Sequence, residues 1–218
     1  MKNILVATAA AFALSAAAGA ASASPVVLTF EGIADETAVG NFYSGLGVTF
    51  SPDTLALVDQ DAGGTGNFAN EPTPNTIMFF LNSNNAVLNY AAGFTTGFSF
   101  YYTSSTAATI NVYDDVDAGG NLLASINISA QYTDNCSGDP TGGFCNFTPV
   151  GVAFSGTAKS IDFGGTANQT GYDNITFGSD TPGTGSGAPE PATWALMIGG
   201  MGLAGAALRR RRSAAVAA

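Results

Sequence analysis

The sequence predicts an all-β protein: an antiparallel β-sandwich, jelly-roll-like, followed by a flexible linker and one C-terminal hydrophobic helix. Between Pro25 and about Gly178, short runs rich in Val, Ile, Phe, Tyr and Thr alternate with clusters of Gly, Asn, Asp and Ser. Helical periodicity is hard to find there, and this alternation is typical of sandwiches and barrels. The 28 glycines fit the many turns and bulges of such a fold.

Short segments along this region have the composition of strands. In the stretch GFSFYYTSS, large side chains occupy both odd and even positions, so both faces of the strand are apolar. This pattern favours a strand in the sandwich interior. The predicted strands are Val26–Phe30, Val48–Phe50, Leu55–Val58, Ile77–Leu81, Ala86–Tyr90, Thr96–Thr103, Ala108–Tyr113, Asn121–Ile128, Val150–Ser155, Ser160–Phe163 and Asp173–Phe177.

The N-terminus has the layout of a secretory signal peptide. Lys2 supplies the positive start, residues 4–14 form an apolar run, and small residues lead to a cleavage site after Ala23. A buried N-terminal helix is the alternative, but nothing polar marks an opposite face. We therefore expect a signal peptide at 1–23, the sandwich at 24–178 and a Gly/Ser/Thr/Pro linker at 179–188.

The charge is unevenly distributed. Residues 24–188 hold fifteen of the sixteen acidic residues and a single base, Lys159, for a net charge of −14. Such a surface repels nucleic acid phosphates and attracts divalent cations. The chain has no histidine, which removes the commonest general base and any nucleophile–histidine pair. The composition predicts a protein that binds no nucleic acid and is not an enzyme.

Cys136 and Cys145 are the two cysteines of the chain. Export places them in an oxidising compartment, and the Ser, Gly, Asp and Pro between them favour turns, so a disulfide is expected. A two-cysteine metal site is less favoured because no histidine is available to complete it.

Acidic residues at matching strand ends suggest one metal site. The first strand ends in LTFEGI with Glu31, and the last begins in GYDNITFG with Asp173. First and last strands are neighbours in many jelly rolls, so the two carboxylates plus backbone carbonyls could bind a structural calcium ion. The alternative is two solvated residues. The acidic stretches 59–66 and 113–120 fit a plain loop and a hairpin tip better, and Asn70 replaces the twelfth-position carboxylate of an EF-hand.

Evidence for catalysis is thin. A pair of carboxylates can hydrolyse glycosides without histidine, but nothing in the sequence selects one pair. Exposed aromatic side chains could stack on sugar rings, although most tyrosines of a sandwich are core or rim residues. The candidates are Tyr43, Tyr101, Tyr102, Tyr132 and Tyr172.

The C-terminal region has the composition of a membrane-spanning helix of barely sufficient length. Residues 192–208 contain only one polar residue, Thr193, and 17 residues of helix measure about 25 Å, just short of a hydrocarbon core. Four arginines at 209–212 act as a basic stop on the cytoplasmic side, leaving 213–218 as a cytoplasmic end. A simple type I membrane anchor is one interpretation of this segment.

The same segment, with PEPATW before the apolar run, closely resembles the PEP-CTERM sorting signal of Gram-negative bacteria that produce exopolysaccharide. The name ice-binding protein C-terminal domain is also used for this tail, but no regular Thr array is visible in the sandwich. The resemblance implies recognition at 189–212 by an exosortase, which is thought to process the tail near Pro-Glu-Pro. The matching residues are Pro189, Glu190, Pro191, Trp194, Arg209, Arg210, Arg211 and Arg212.

These patterns together predict an exported, non-catalytic protein of the outer envelope or extracellular matrix. It crosses the inner membrane, is held there transiently by its tail, and binds or organises exopolysaccharide. A calcium-stabilised lectin-like module is the first alternative, and a carboxylate-pair glycosidase is the second. No cofactor is expected beyond the candidate calcium ion.

Overall fold

The structure, a computed structural model, describes residues 25–137, 139, 142–183 and 200–201. This part of the chain confirms the all-β prediction: it forms β-strands and two single-turn 3-10 helices, Ser44–Leu46 and Gln60–Ala62. The strands are β1 Val26–Leu28, β2 Val48–Phe50, β3 Thr54–Val58, β4 Thr76–Phe80, β5 Asn85–Phe94, β6 Gly97–Ser104, β7 Ala108–Tyr113, β8 Leu122–Ile128, β9 Thr148–Ala153, β10 Ala158–Gly164 and β11 Thr170–Phe177.

The strands form two antiparallel sheets that pack face to face. The first sheet has the order β3-β4-β11-β6-β9, with β1 also paired to β11, and the second has the order β2-β5-β10-β7-β8. The first and last strands are therefore neighbours, with Val26 opposite Phe177 and Leu28 opposite Ile175. This pairing brings the two ends of the sandwich together.

Each predicted strand is present, and the largest difference in length concerns β5. The sequence predicts Ala86–Tyr90, whereas the strand runs from Asn85 to Phe94. The added residues include Ala91, Ala92 and Gly93, whose small side chains carry no alternation. Here the ladder to β10 is interrupted by a bulge rather than ended by a turn.

Aromatic side chains fill the space between the sheets. The Tyr172 ring lies 4.9 Å from that of Phe163 and 5.4 Å from that of Phe100, and Phe98 lies 5.5 Å from Phe100. All four are buried. Full burial of such a side chain stabilises by about 1.5–3 kcal/mol, so this cluster is a principal source of sandwich stability.

The first sheet is covered on its outer face as well. Ile77 and Phe79 are buried outside the central core, and together with Phe68 and Phe144 they line one small cavity. Phe144 belongs to the segment closed by the Cys136–Cys145 disulfide, which the structure contains with a Cα–Cα distance of 5.2 Å. Strand β11 is consequently buried along its whole length.

Replacing both cysteines with serine should destabilise the covering segment. The cysteines are nine positions apart in the sequence, and closing the loop restricts the unfolded chain by about 2–3 kcal/mol. We expect the melting temperature of the full chain to fall by about 5–10 °C in thermal unfolding followed by circular dichroism. Dithiothreitol should reproduce the fall in the wild type and leave the double variant unchanged. An unchanged melting temperature in both experiments would contradict a stabilising role.

Candidate functional site at the bulge of the last strand

Asp173 and Asn174 lie at a β-bulge in the middle of β11. Asp173 is opposite Tyr101 of β6, but the next paired residue of β11 is Thr176, opposite Ser99, so the register shifts between them. Asn174 takes a left-handed conformation with φ of 48°, which asparagine tolerates better than most residues. Bulges of this kind re-aim side chains, and here both Asp173 and Asn174 are fully buried.

The Asp173 carboxylate is held by Thr73, a residue from the loop before β4. The Thr73 backbone N–H donates to Oδ2 at 3.2 Å, and its hydroxyl lies 2.9 Å from the same oxygen. The Asn174 N–H donates to Oδ1 at 2.6 Å. Two backbone donors and a hydroxyl therefore satisfy a carboxylate that has no contact with water.

The loop that supplies Thr73 is stiff. Thr73 stands between Pro72 and Pro74, and each proline fixes its own φ and restricts the residue before it. Asn70 and Asn75 on either side have positive φ of 65° and 79°. The sequence analysis missed Thr73, although the Pro-Thr-Pro pattern signals a rigid loop that presents one hydroxyl.

Glu31 fastens the other end of the same loop. Its Oε1 accepts the backbone N–H of Thr76, the first residue of β4, at 3.0 Å. The residue before it, Phe30, has φ of 62°, which is unusual for a bulky side chain. The Phe30 N–H donates to the Tyr43 hydroxyl at 2.6 Å, and burial raises the Tyr43 pKa to about 12. The Glu31 position is thus set by a constrained backbone.

The pKa values of Glu31 and Asp173, the two predicted calcium ligands, are higher than those of ordinary surface carboxyl groups. Burial raises the pKa of the Asp173 carboxyl to about 8, against the effect of its hydrogen bonds, and the negative charge of Glu31 adds to the rise. Burial also raises the pKa of Glu31. The described residues contain one ion pair, between Lys159 and Asp115, in which Nζ lies 3.9 Å from Oδ1. No described base offsets the charge of Asp173.

Glu31 and Asp173, the predicted calcium ligands, each accept a backbone N–H from a threonine, at Thr76 and at Thr73 respectively. In the described part of the chain, no three Asp, Glu or Cys side chains converge on one point. A calcium ion at Glu31 and Asp173 would therefore take two carboxylates and complete its 6–8 oxygen ligands with carbonyls and water. Thr73 donates to Asp173 and Thr76 donates to Glu31, so both carboxylates anchor the loop before β4.

The other acidic stretches have local roles. Asp59 caps the short helix that follows it, accepting the Asp61 N–H at 3.1 Å. Asp114 accepts the backbone N–H of Asn121 at 2.6 Å and its side-chain amide at 2.9 Å, and these bonds lower the pKa of Asp114. These contacts are those of a loop and a hairpin tip.

The tyrosines considered for stacking differ in exposure. Tyr172 and Tyr102 are buried in the core, Tyr43 is half-buried, and Tyr101 is half-buried on β6. Tyr132 is 46% exposed, next to Phe144 of the disulfide segment. Burial removes Tyr102 and Tyr172 from contact with any ligand.

The start of the linker packs on the sandwich. The Gly183 N–H donates to the Thr176 hydroxyl at 3.0 Å, and its carbonyl accepts the Asn174 side-chain amide at 2.9 Å. The Ser99 hydroxyl likewise donates to the Ser179 carbonyl at 2.9 Å. The chain that follows β11 thus turns back along it as far as residue 183.

The predicted span at 192–208 lies outside the described residues, apart from Gly200 and Met201, which are helical. The residues that the structure describes include no helix of the length and hydrophobicity that membrane spanning requires. The signal peptide, the Pro-Glu-Pro residues and the four arginines also fall outside the described part.

Comparison with solved structures finds distant resemblances. The adhesin domain K2 of Lys-gingipain matches at 12% identity and a TM-score of 0.47, covering 72% of this chain and 98% of that chain. CsCBM6-3 from Clostridium stercorarium, solved with cellobiose, matches at 16% identity and a TM-score of 0.39, covering 71% and 93%. CBM35 from Paenibacillus barcinonensis matches at 17% identity and a TM-score of 0.33, covering 61% and 94%. Likenesses this distant assign no ligand to this chain.

Comparison of the sequence gives a more specific result. No curated protein is significantly similar to the chain. Residues 188–212, however, match the family model of the PEP-CTERM protein-sorting motif, as the Pro-Glu-Pro, Trp and Arg pattern predicted. The motif indicates an exported protein. The chain therefore carries a PEP-CTERM sorting motif behind an all-β sandwich.

Proposed function

We propose that this protein is a non-catalytic component of the outer envelope or extracellular matrix of a Gram-negative bacterium, where its sandwich binds or organises exopolysaccharide. The observation that carries the proposal is the sorting motif at 188–212, which follows a stable acidic sandwich. A signal peptide at 1–23 starts export, the sandwich at 24–178 is the working part, and the linker at 179–188 connects it to the tail at 189–212.

The tail acts as a temporary stop and an address. The apolar span of residues 192–208 is barely long enough to cross a bilayer, and Arg209–Arg212 remain on the cytoplasmic side. Pro189 and Pro191 keep the backbone extended at the outer edge of the span, where an exosortase can reach it. The inner membrane is thus a transient partner, and the exosortase is the processing partner.

A calcium-stabilised lectin-like module is the second candidate, and a specific observation favours it. The negative charge of Glu31 adds to the raised pKa of Asp173, which is buried without a described base beside it. A calcium ion at this point would neutralise both carboxylates and hold the first strand, the last strand and the loop before β4 together. Calcium would then act through stability and loop geometry.

We do not favour a carboxylate-pair glycosidase. Such an enzyme needs two carboxyl groups facing an opening that admits a sugar. Asp173 is fully buried beneath Thr73, and the Glu31 carboxylate is engaged by Thr76. The most strongly perturbed carboxyl of the described chain is therefore out of reach of a substrate, and binding without hydrolysis is the proposal.

Replacing Pro189, Glu190 and Pro191 with alanine should block processing. In a host with an exosortase, we expect wild-type protein from the outer envelope or medium to lack Arg209–Arg212 by mass spectrometry. The triple variant should accumulate uncut in the inner membrane. A control with Thr184→Ala and Ser186→Ala in the linker should be processed normally. Intact Arg209–Arg212 on mature wild-type protein would instead favour a permanent anchor.

Removal of calcium should lower the melting temperature of the full chain. A ligand at one hundred times its Kd stabilises by about 2.7 kcal/mol, equivalent to about 5–10 °C for a domain of this size. The shift between chelator and added calcium should disappear in Glu31→Gln and Asp173→Asn. It should persist in Asp53→Asn, which removes an exposed acid elsewhere. Equal melting temperatures of the wild type with and without calcium would end this proposal.

Without calcium, stability should fall as pH rises. The pKa of Asp173 is raised to about 8 in the folded state and is about 3.9 in an unfolded chain, so the folded state binds the extra proton between these values. Stability should be greatest at the acidic end of this window and fall through pH 8, by at most about 1.4 kcal/mol per pH unit from this residue.

The pH dependence can be assigned to Asp173 by substitution. Asp173→Asn should flatten the slope, and the remaining dependence should come from Glu31, Asp59 and Glu71, whose pKa values burial also raises. Urea unfolding at pH 5, 6, 7 and 8 measures these slopes. An Asp173→Asn slope equal to that of the wild type would show that this carboxyl is already ionised in the folded state.

A further inference from the structure

We propose that a cavity beside Tyr90 is a binding site for a neutral hexose unit of a polysaccharide, an assignment that rests on the proposed function and locates its site. The cavity has a volume of about 400 Å³, which is within the range of small-molecule sites. Three aromatic side chains, Tyr90, Phe94 and Phe177, line it on one side. The hydroxyl-bearing residues Thr95, Thr96 and Thr157 also line it, together with Val26, Ala92, Gly93 and Gly178.

The bulge of β5 creates the opening. Asn89 is opposite Ser160 and Phe94 is opposite Ala158, so residues 90–93 face only Lys159 of β10. At the inner edge of this bulge, a Cβ on Gly93 would lie 2.5 Å from Thr157 Cγ2, so only glycine fits. Bulges next to binding sites re-aim side chains and end strand pairing. At this bulge, the unpaired residues Ala92 and Gly93 line the cavity.

The aromatic floor is rigid. The Tyr90 ring stacks on Phe94 with centroids 6.2 Å apart and an angle of 21°, and lies 5.3 Å from Phe177. Phe94 and Phe177 are buried, whereas Tyr90 is half-buried. A partly exposed ring held from behind presents an apolar face on which the C–H face of a pyranose can pack, with little loss of side-chain freedom.

The rim supplies hydrogen bonds in a fixed position. Thr96 has φ of 76°, which is strained for a β-branched residue. Its hydroxyl lies 2.8 Å from the Gly178 carbonyl at the end of β11, so the turn between β5 and β6 is tied to the last strand. Thr95 and Thr157 are exposed, and their hydroxyls can each donate one hydrogen bond and accept others.

The charge of the site selects neutral sugars. None of the described residues that line the cavity is acidic or basic. The surrounding sandwich is strongly acidic, so a uronate-rich chain would be repelled. An acyl chain would cover the exposed hydroxyls of Thr95 and Thr157 without offering them a hydrogen-bond partner, which is unfavourable for a lipid ligand. The absence of a carboxylate from the lining also agrees with binding rather than hydrolysis.

Calorimetry with defined oligosaccharides tests the proposal. The exported protein should be purified in a detergent without a sugar headgroup and titrated with cellohexaose, laminarihexaose, mannohexaose and hexagalacturonate. We expect at least one neutral hexaose to bind and hexagalacturonate to bind more weakly. Tyr90→Leu should weaken binding by about tenfold or more, and Thr157→Val should weaken it by about threefold. Tyr132→Leu, which removes an exposed tyrosine next to the disulfide segment, should bind like the wild type.

Each result bears on a different part of the proposal. Thr157 is exposed and valine keeps its shape, so this variant remains informative even if Tyr90→Leu unfolds. Wild-type binding that survives both Tyr90→Leu and Thr157→Val would overturn the site while leaving the proposed function standing. Preference for hexagalacturonate would overturn the ligand class.

A second measurement separates failure of the site from failure of the function. If no hexaose binds, the hexose assignment falls, and cosedimentation with matrix exopolysaccharide then decides the proposed function independently. Nuclear Overhauser contacts between the Tyr90 ring and residues 1–24 or 184–191 would assign the cavity to the chain itself and overturn the proposal.

Discussion

Burial of β11 on both faces is the constraint on which the rest of the structure depends. The strand pairs with β1, β4 and β6, sends Tyr172 into the aromatic core, and lies beneath the layer that the disulfide closes. A strand buried in this way must satisfy each polar group internally. The Asp173–Asn174 bulge meets that demand by capturing the Thr73 loop on one side and the start of the linker on the other.

The same strand shows how a very acidic chain tolerates a buried carboxylate. With no base beside it, Asp173 is stabilised by N–H and O–H donors, and its raised pKa leaves it largely protonated at neutral pH unless a cation is bound. A proton and a calcium ion would therefore compete for one place.

Strand positions and the disulfide could be predicted from the sequence because alternation, turn residues and export are local signals. The pairing of β1 with β11 agrees with the general rule that first and last strands of jelly rolls are neighbours. The Thr73 anchor and the Tyr90 cavity could not be predicted in the same way. Both depend on β-bulges, where the strand register shifts at residues whose types do not signal a bulge. Both also depend on contacts between segments that are distant in sequence. Residues 91–93 look like the end of a strand and instead form the wall of a cavity.

Hydrogen bonds between Gly183 and the side chains of Asn174 and Thr176 hold the start of the linker on the sandwich, which shortens the free part of the linker. Only residues 184–188 remain between this point and Pro189, and five extended residues span at most about 18 Å. A sandwich of about 155 residues has a radius of gyration of about 15 Å. If the tail spans the membrane before processing, as proposed, this short connection would hold the domain close to the bilayer. Cutting at Pro-Glu-Pro would convert a surface-bound body into one that diffuses through the matrix.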